Sequence, residues 1–63
     1  MRKTMDLVNE VVALGFDREE ALVGIDASLD EMIGFENRKP IKEEEISDEV
    51  YNDILFGFKC EEA

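Results

Sequence analysis

The chain has no histidine, one cysteine, one proline and only seven basic residues among 63. Each shortage closes a class of function. Without His, and with Cys60 alone, there is no four-ligand Cys/His set for structural zinc, and no disulfide can form within the chain. Cys60 has no His to serve as its base. Ser28 and Ser47 lack such a base too, and are better explained as helix caps. Asp26, Asp30 and Glu31 lack the Asp-x-Asp-x-Asp-Gly spacing of a calcium loop. Carboxylates could pair as acid and base, but a chain this short has little room for a substrate-sized pocket. A noncatalytic protein with no cofactor and no metal is expected.

No apolar run is long enough to span a membrane. Met1-Arg2-Lys3 is basic, but the residues after it are amphipathic and do not form a continuous apolar core. A lone, unpaired cysteine suits a reducing compartment. The expectation is a soluble, cytoplasmic protein.

Bases are outnumbered by seventeen acids, for a net charge of −10. Phosphates repel such a chain, which argues against direct binding to nucleic acid or anionic membrane. The complementary partner is a protein with a basic surface. Solubility alone is the simpler account of the same charge.

Sixty-three residues make one domain, 1–63, near the lower size limit for independent folding. At this size, burial at ~25 cal/mol per Å² roughly cancels about 1.5 kcal/mol per residue of lost conformational entropy. Stability must come from helix packing, from self-association as a homodimer, or from a partner.

Met1 to Lys3 reads as a frayed end. Thr4 is placed to cap a first helix, with Asp6 in its first turn. Met5, Val8, Val11 and Val12 then share one side, widened by Leu7 and Leu14, at the spacing of a half-buried helix. Leu14-Gly15-Phe16-Asp17 reads as a reversal. Gly15 is a natural C′ residue, and Phe16 at C″ could fold back on Val11. Asp17 comes next as N-cap, with Glu20 three residues on as in a capping box. The next helix turns Ala21, Leu22 and Ile25 inward and Arg18, Glu19 and Asp26 outward. Gly24 beside that face suggests close approach of another helix backbone. Two continuations stay open. Ser28 with Glu31 can cap a third helix, or the helix runs on, since Leu22, Ile25, Leu29, Met32 and Ile33 keep helical spacing. Helical signal fades at Gly34 to Asn37.

Residues 37–46 read as a linker around Pro40, with Ile41 to Glu45 a charged connector or strap. Ser47 caps a last helix over 47–59, with Asp48 and Glu49 in its first turn and Ile46 placed to staple against Tyr51. Val50, Ile54 and Phe58 form its apolar stripe, extended by Tyr51 and Leu55. Phe56 points elsewhere. Gly57 permits an end or a bend, and Phe58 to Ala63 reads as a tail.

From Leu7 to about Phe35 the chain resembles a ubiquitin-associated (UBA) domain, a three-helix bundle that opens on a Met-Gly-Phe/Tyr turn followed by Ala-Leu-x-Ala-Leu. Here the turn is Leu14-Gly15-Phe16, and Ala21-Leu22-Val23-Gly24-Ile25 stands where the second motif would be. Leu29, Met32 and Ile33 would supply the third helix, with a connection about three residues shorter than usual. The resemblance covers under half of the chain. It implies binding to ubiquitin or a similar fold through Leu14, Gly15 and Phe16 together with Ile33 and Phe35.

The C-terminal third suggests a different surface. Residues 43–62 carry eight acids and one base. Glu43, Glu44, Glu45, Asp48, Glu49 and Asp53, with Tyr51 and Phe56 as apolar anchors, could imitate a phosphate backbone and occupy a basic nucleic-acid-binding cleft. In size and charge the chain resembles small acidic inhibitor proteins of bacteriophages. The fold expected is all-α: a helical hairpin or UBA-like bundle over 4–36, then an acidic helix that packs back or pairs with a second copy, three to four helices in all. The function expected is noncatalytic protein binding.

Overall fold

A computed structural model describes residues 1–62. Its elements in order are β1 (Arg2–Lys3), α1 (Thr4–Ala13), α2 (Arg18–Ile33), a one-turn 3-10 helix (Phe35–Asn37), β2 (Glu45–Ile46) and α3 (Asp48–Glu62). The fold is mostly helical rather than strictly all-α. β1 and β2 pair antiparallel, Arg2 with Ile46 and Lys3 with Glu45. The expected frayed end is thus half of a sheet, and the expected linker holds the other half.

Local chemistry accounts for most of the ends. α1 stops at Gly15, whose φ of 114° is costly for any residue with a Cβ. The Gly15 N–H donates to the Val12 carbonyl at 3.0 Å. Asp17 occupies the N-cap position of α2, and its carbonyl receives the Ala21 N–H at 2.9 Å. Its side chain makes no capping hydrogen bond, so the capping box with Glu20 is not formed. Phe16 meets Phe58 edge to face, with ring centroids 5.2 Å apart. α2 then runs unbroken past Ser28, so hydrophobic periodicity outweighs the local cap signal there. Of the two arrangements expected for 4–36, the structure has the hairpin. It ends at Gly34, again with positive φ.

Thr4 is not a cap. It is the first residue of α1, fully buried, and its N–H donates to the Glu44 carbonyl at 3.0 Å. Its hydroxyl has no partner among the described residues. Ser47 does cap α3, accepting the Val50 N–H at 3.2 Å. α3 continues through Gly57 to Glu62, so the expected tail from Phe58 is helix; Ala63 lies outside the described residues.

The core is Leu7, Val8 and Val11 of α1, Ala21, Ile25 and Leu29 of α2, Ile46 of β2, and Tyr51, Ile54 and Leu55 of α3. Gly24 does mark a close approach, but to a ring rather than a backbone. A Cβ there would stand 2.8 Å from Cζ of Phe58.

Candidate functional site

The residues expected to bind a partner are scattered. Leu14, Gly15 and Phe16 precede α2, whereas Ile33 and Phe35 lie at and beyond its far end. Sixteen residues of helix separate the two groups by about 24 Å, so they do not form one patch. Leu14, Phe16 and Ile33 are half-buried against the core, and Phe35 is 79 % exposed. Of the expected acidic set, Glu43, Glu45, Asp48, Glu49 and Asp53 are exposed. Phe56 is 67 % exposed, on the outer side of α3.

Glu44 and Tyr51 turn inward, each for an identifiable reason. Arg38, with 8 % of its side chain exposed, stands at the centre of three carboxylates. Its Nε and Nη2 donate to the two oxygens of Glu44 at 2.8 and 2.9 Å. Nη1 donates to Oδ1 of Asp30 at 2.7 Å and to the Asp26 carbonyl at 2.9 Å. Nη2 also faces Oδ1 of Asp26 at 2.9 Å. Four of the five guanidinium N–H groups therefore donate to a protein acceptor, and the Asp26 carboxylate adds an ion pair. The bond to Glu44, aided by Asp30 and Asp26, holds the guanidinium above its ordinary pKa against the opposing effect of burial. Asp26 and Asp30 share one side of α2 because they are four residues apart. Arg38 thereby straps the segment after Gly34 onto α2 and delivers Glu44 to the first turn of α1.

Tyr51 joins three elements. Its hydroxyl donates to Oε1 of Glu10 on α1 at 2.8 Å. The Arg2 guanidinium of β1 lies 3.6 Å from the ring centroid, a cation–π contact. Burial, and then the Glu10 bond, push the Tyr51 hydroxyl up to about 12, with Arg2 pulling the other way. Glu44 and Tyr51 are thus structural, and unavailable to a partner.

Two open regions concern the expected residues: a cleft of about 420 Å³ brings Ile33 together with Glu43, Glu44 and Glu45 beside Lys39, and a groove lies between α2 and α3. Two clefts of about 370 and 560 Å³ meet along it, sharing Gly24, Phe58 and Glu61. Gly24, Ser28 and Met32 form the α2 wall, Asp53, Gly57 and Glu61 the α3 wall, and Ile54 and Phe58 the floor. Toward the start of α2 it widens over Phe16 and Val23. Glu61 lies beside Phe16 and Asp53 in the stretch with Met32, so α2 and α3 run antiparallel. The charged residues lining the groove are Asp17, Glu19, Glu20, Asp53 and Glu61, with no base among the described residues. Such a surface offers apolar contact and negative potential.

Of the partner-binding residues expected from sequence, only Asp53 and Phe16 line this groove. The signal that marks it is the recurrence of small residues four apart, Gly24 with Ser28, together with Gly57 on the next helix. Comparison with known protein families, with curated proteins and with solved structures gives no match. No described helix is long and apolar enough to cross a membrane.

Proposed function

We propose that the protein is a noncatalytic binding module that takes a basic protein partner into the groove between α2 and α3. The observation that carries this reading is an apolar floor, open to solvent, with acids and no described base in its lining. Apolar contact there supplies affinity, while the acids speed encounter and select for cationic partners. Several other acids are differently occupied: Asp26, Asp30 and Glu44 are paired with Arg38, and Glu10 is tied to Tyr51.

Affinity capture with three baits tests the reading. The first is the native chain. The second carries Glu20→Lys, Asp53→Lys and Glu61→Lys in the groove, and the third carries Glu36→Lys, Glu43→Lys and Glu45→Lys away from it. Proteins held by the first and third baits but lost from the second support the groove; equal retention by all three refutes it. Displacement of the captured proteins by DNA would instead favour the acidic-mimic reading, in which Glu43, Glu45, Asp48 and Glu49 imitate phosphates. The Leu14-Gly15-Phe16 turn borders one end of the groove. A ubiquitin-like partner, which the UBA resemblance implies, would therefore perturb that turn rather than Ser28 and Gly57.

A further inference from the structure

The walls of the groove are built alike. On α2 the row is Gly24, Ser28, Met32, and on α3 it is Asp53, Gly57, Glu61, each spaced by four residues. Rows of that spacing are the ridges and grooves through which helices pack on helices. Both rows are low where a third helix would cross, because Ser28 has a small side chain and Gly57 none, whereas the space over Gly24 is filled by the Phe58 ring.

The two glycines differ in what accounts for them. Gly24 has an internal reason, since a Cβ there would collide with Phe58. Gly57 has none: a Cβ there would meet nothing within 4 Å among the described residues. Glycine inside a helix weakens it relative to alanine, and this one opens space only on the groove side. Both walls are helix, with backbone N–H and C=O groups spent on their own ladders. An extended segment laid between them would find no backbone partners over an apolar floor, whereas a helix satisfies its own. A second copy would bring the same acids against acids.

Resting on the docking reading above, we infer that the occupant is an amphipathic α-helix of a basic partner, which completes a four-helix packing. It seats a large apolar side chain over Gly57 and Ser28. Its cationic residues lie toward the Phe16 end, where Glu19, Glu20 and Glu61 stand. From Gly24 to Met32 is about 12 Å, so about two turns of the incoming helix make the contact.

Two synthetic lysine–leucine peptides test this. One is held helical by a hydrocarbon staple; the other has the same charge and leucine content but is broken by two central prolines. Each is titrated into the isotope-labelled full chain, its Gly57→Leu variant and its milder Gly57→Ala variant, with amide shifts as the readout. The stapled peptide should shift Gly24, Ser28 and Gly57 and bind on the order of tenfold tighter than the broken one. Gly57→Leu should lose on the order of tenfold in affinity with no fall in melting temperature, and Gly57→Ala should lose less. Equal groove binding by both peptides overturns the helical occupant while leaving the docking reading intact. Unchanged affinity in both Gly57 variants overturns the placement of the apolar anchor. If neither peptide moves a groove amide at millimolar concentration, the docking reading fails with it.

Discussion

Raising the pH should unfold this protein through Tyr51. The native hydroxyl is pushed from its ordinary 10.0 up to about 12, first by burial and then by its bond to Glu10. Below pH 10 both folded and unfolded chains hold the proton, so this group leaves stability unchanged. Between 10 and 12 the unfolded chain has released its proton while the native chain keeps it. Proton binding then favours the folded state less with every step up in pH, and stability falls. The slope is roughly 1.4 kcal/mol per pH unit, about 2.5 kcal/mol across the interval. A single core of this size supplies only ~3–5 kcal/mol, so a loss of that order is most of the total.

The assay is unusually clean, because Tyr51 is the only tyrosine and there is no tryptophan. Tyrosinate absorbance therefore reports this residue alone. A stopped-flow jump to alkaline pH reads its protonation before the chain can unfold. Urea denaturation across the same range reads the stability. A Tyr51→Phe variant controls for lysine deprotonation, which adds net negative charge in either background. Phe at 51 sacrifices the Glu10 bond, worth about 1.5–3 kcal/mol for a charged acceptor, but should abolish the tyrosine part of the slope. A native hydroxyl that titrates near 10, or a variant with the same slope as the native chain, would refute the reasoning.

The other expectations are mutational. Arg38→Met leaves Glu44 buried and unpaired with two further carboxylates close by, and should cost about 3 kcal/mol in urea denaturation. Arg38→Lys should recover less than half of that, because an ammonium cannot reproduce the fork; a loss within about 0.5 kcal/mol of zero for the Met variant would make the cluster ornamental. Gly57→Ala should raise stability by about 0.5–1 kcal/mol, whereas Gly24→Ala should not, since its Cβ meets Phe58. Ser47→Ala should cost about 1 kcal/mol, and Asp17→Ala clearly less, because only Ser47 makes a side-chain capping bond. Phe56→Ala should leave the melt unchanged while Phe58→Ala costs about 3 kcal/mol; comparable losses would contradict their different burial.

The features legible in the sequence are the locally encoded ones. Gly15, Gly34 and Ser47 end or begin helices by rules that act within a few residues. The spacing of Ile25, Leu29 and Ile33 admits a continuous α2, but the Ser28 cap signal leaves a break equally open until the structure shows the helix unbroken. Features that depend on distant contacts are not legible. Tyr51 and Glu10 are 41 positions apart, and nothing near Tyr51 marks it as a hub rather than an exposed anchor. Arg38 reads as a loop cation because its acceptors lie six, eight and twelve positions away on two segments. A two-residue strand is too short to alternate, so β1 reads as a frayed end. Gly57 permits an end or a bend, yet Phe58 beyond it packs on Gly24 and Phe16 and the helix carries on. The groove has one wall on each of two helices, so no single stretch spells it out.

The charge of the chain is sorted rather than spread. Asp17, Glu19 and Glu20 sit at the start of α2, where the helix dipole already favours acids. That alone would account for them. It does not account for Glu61, which lies in the last turn of α3, where the dipole favours a cation and Lys59 is the only base. Glu61 also lines the groove together with the acids at the start of α2. Asp53 is equally unexplained by capping, being mid-helix beside Gly57. Elsewhere Asp26, Asp30 and Glu44 have Arg38 as a partner, and Glu10 has Tyr51. In the groove the lining provides none among the described residues, so these exposed acids are met by solvent or, on the reading proposed above, by a basic partner.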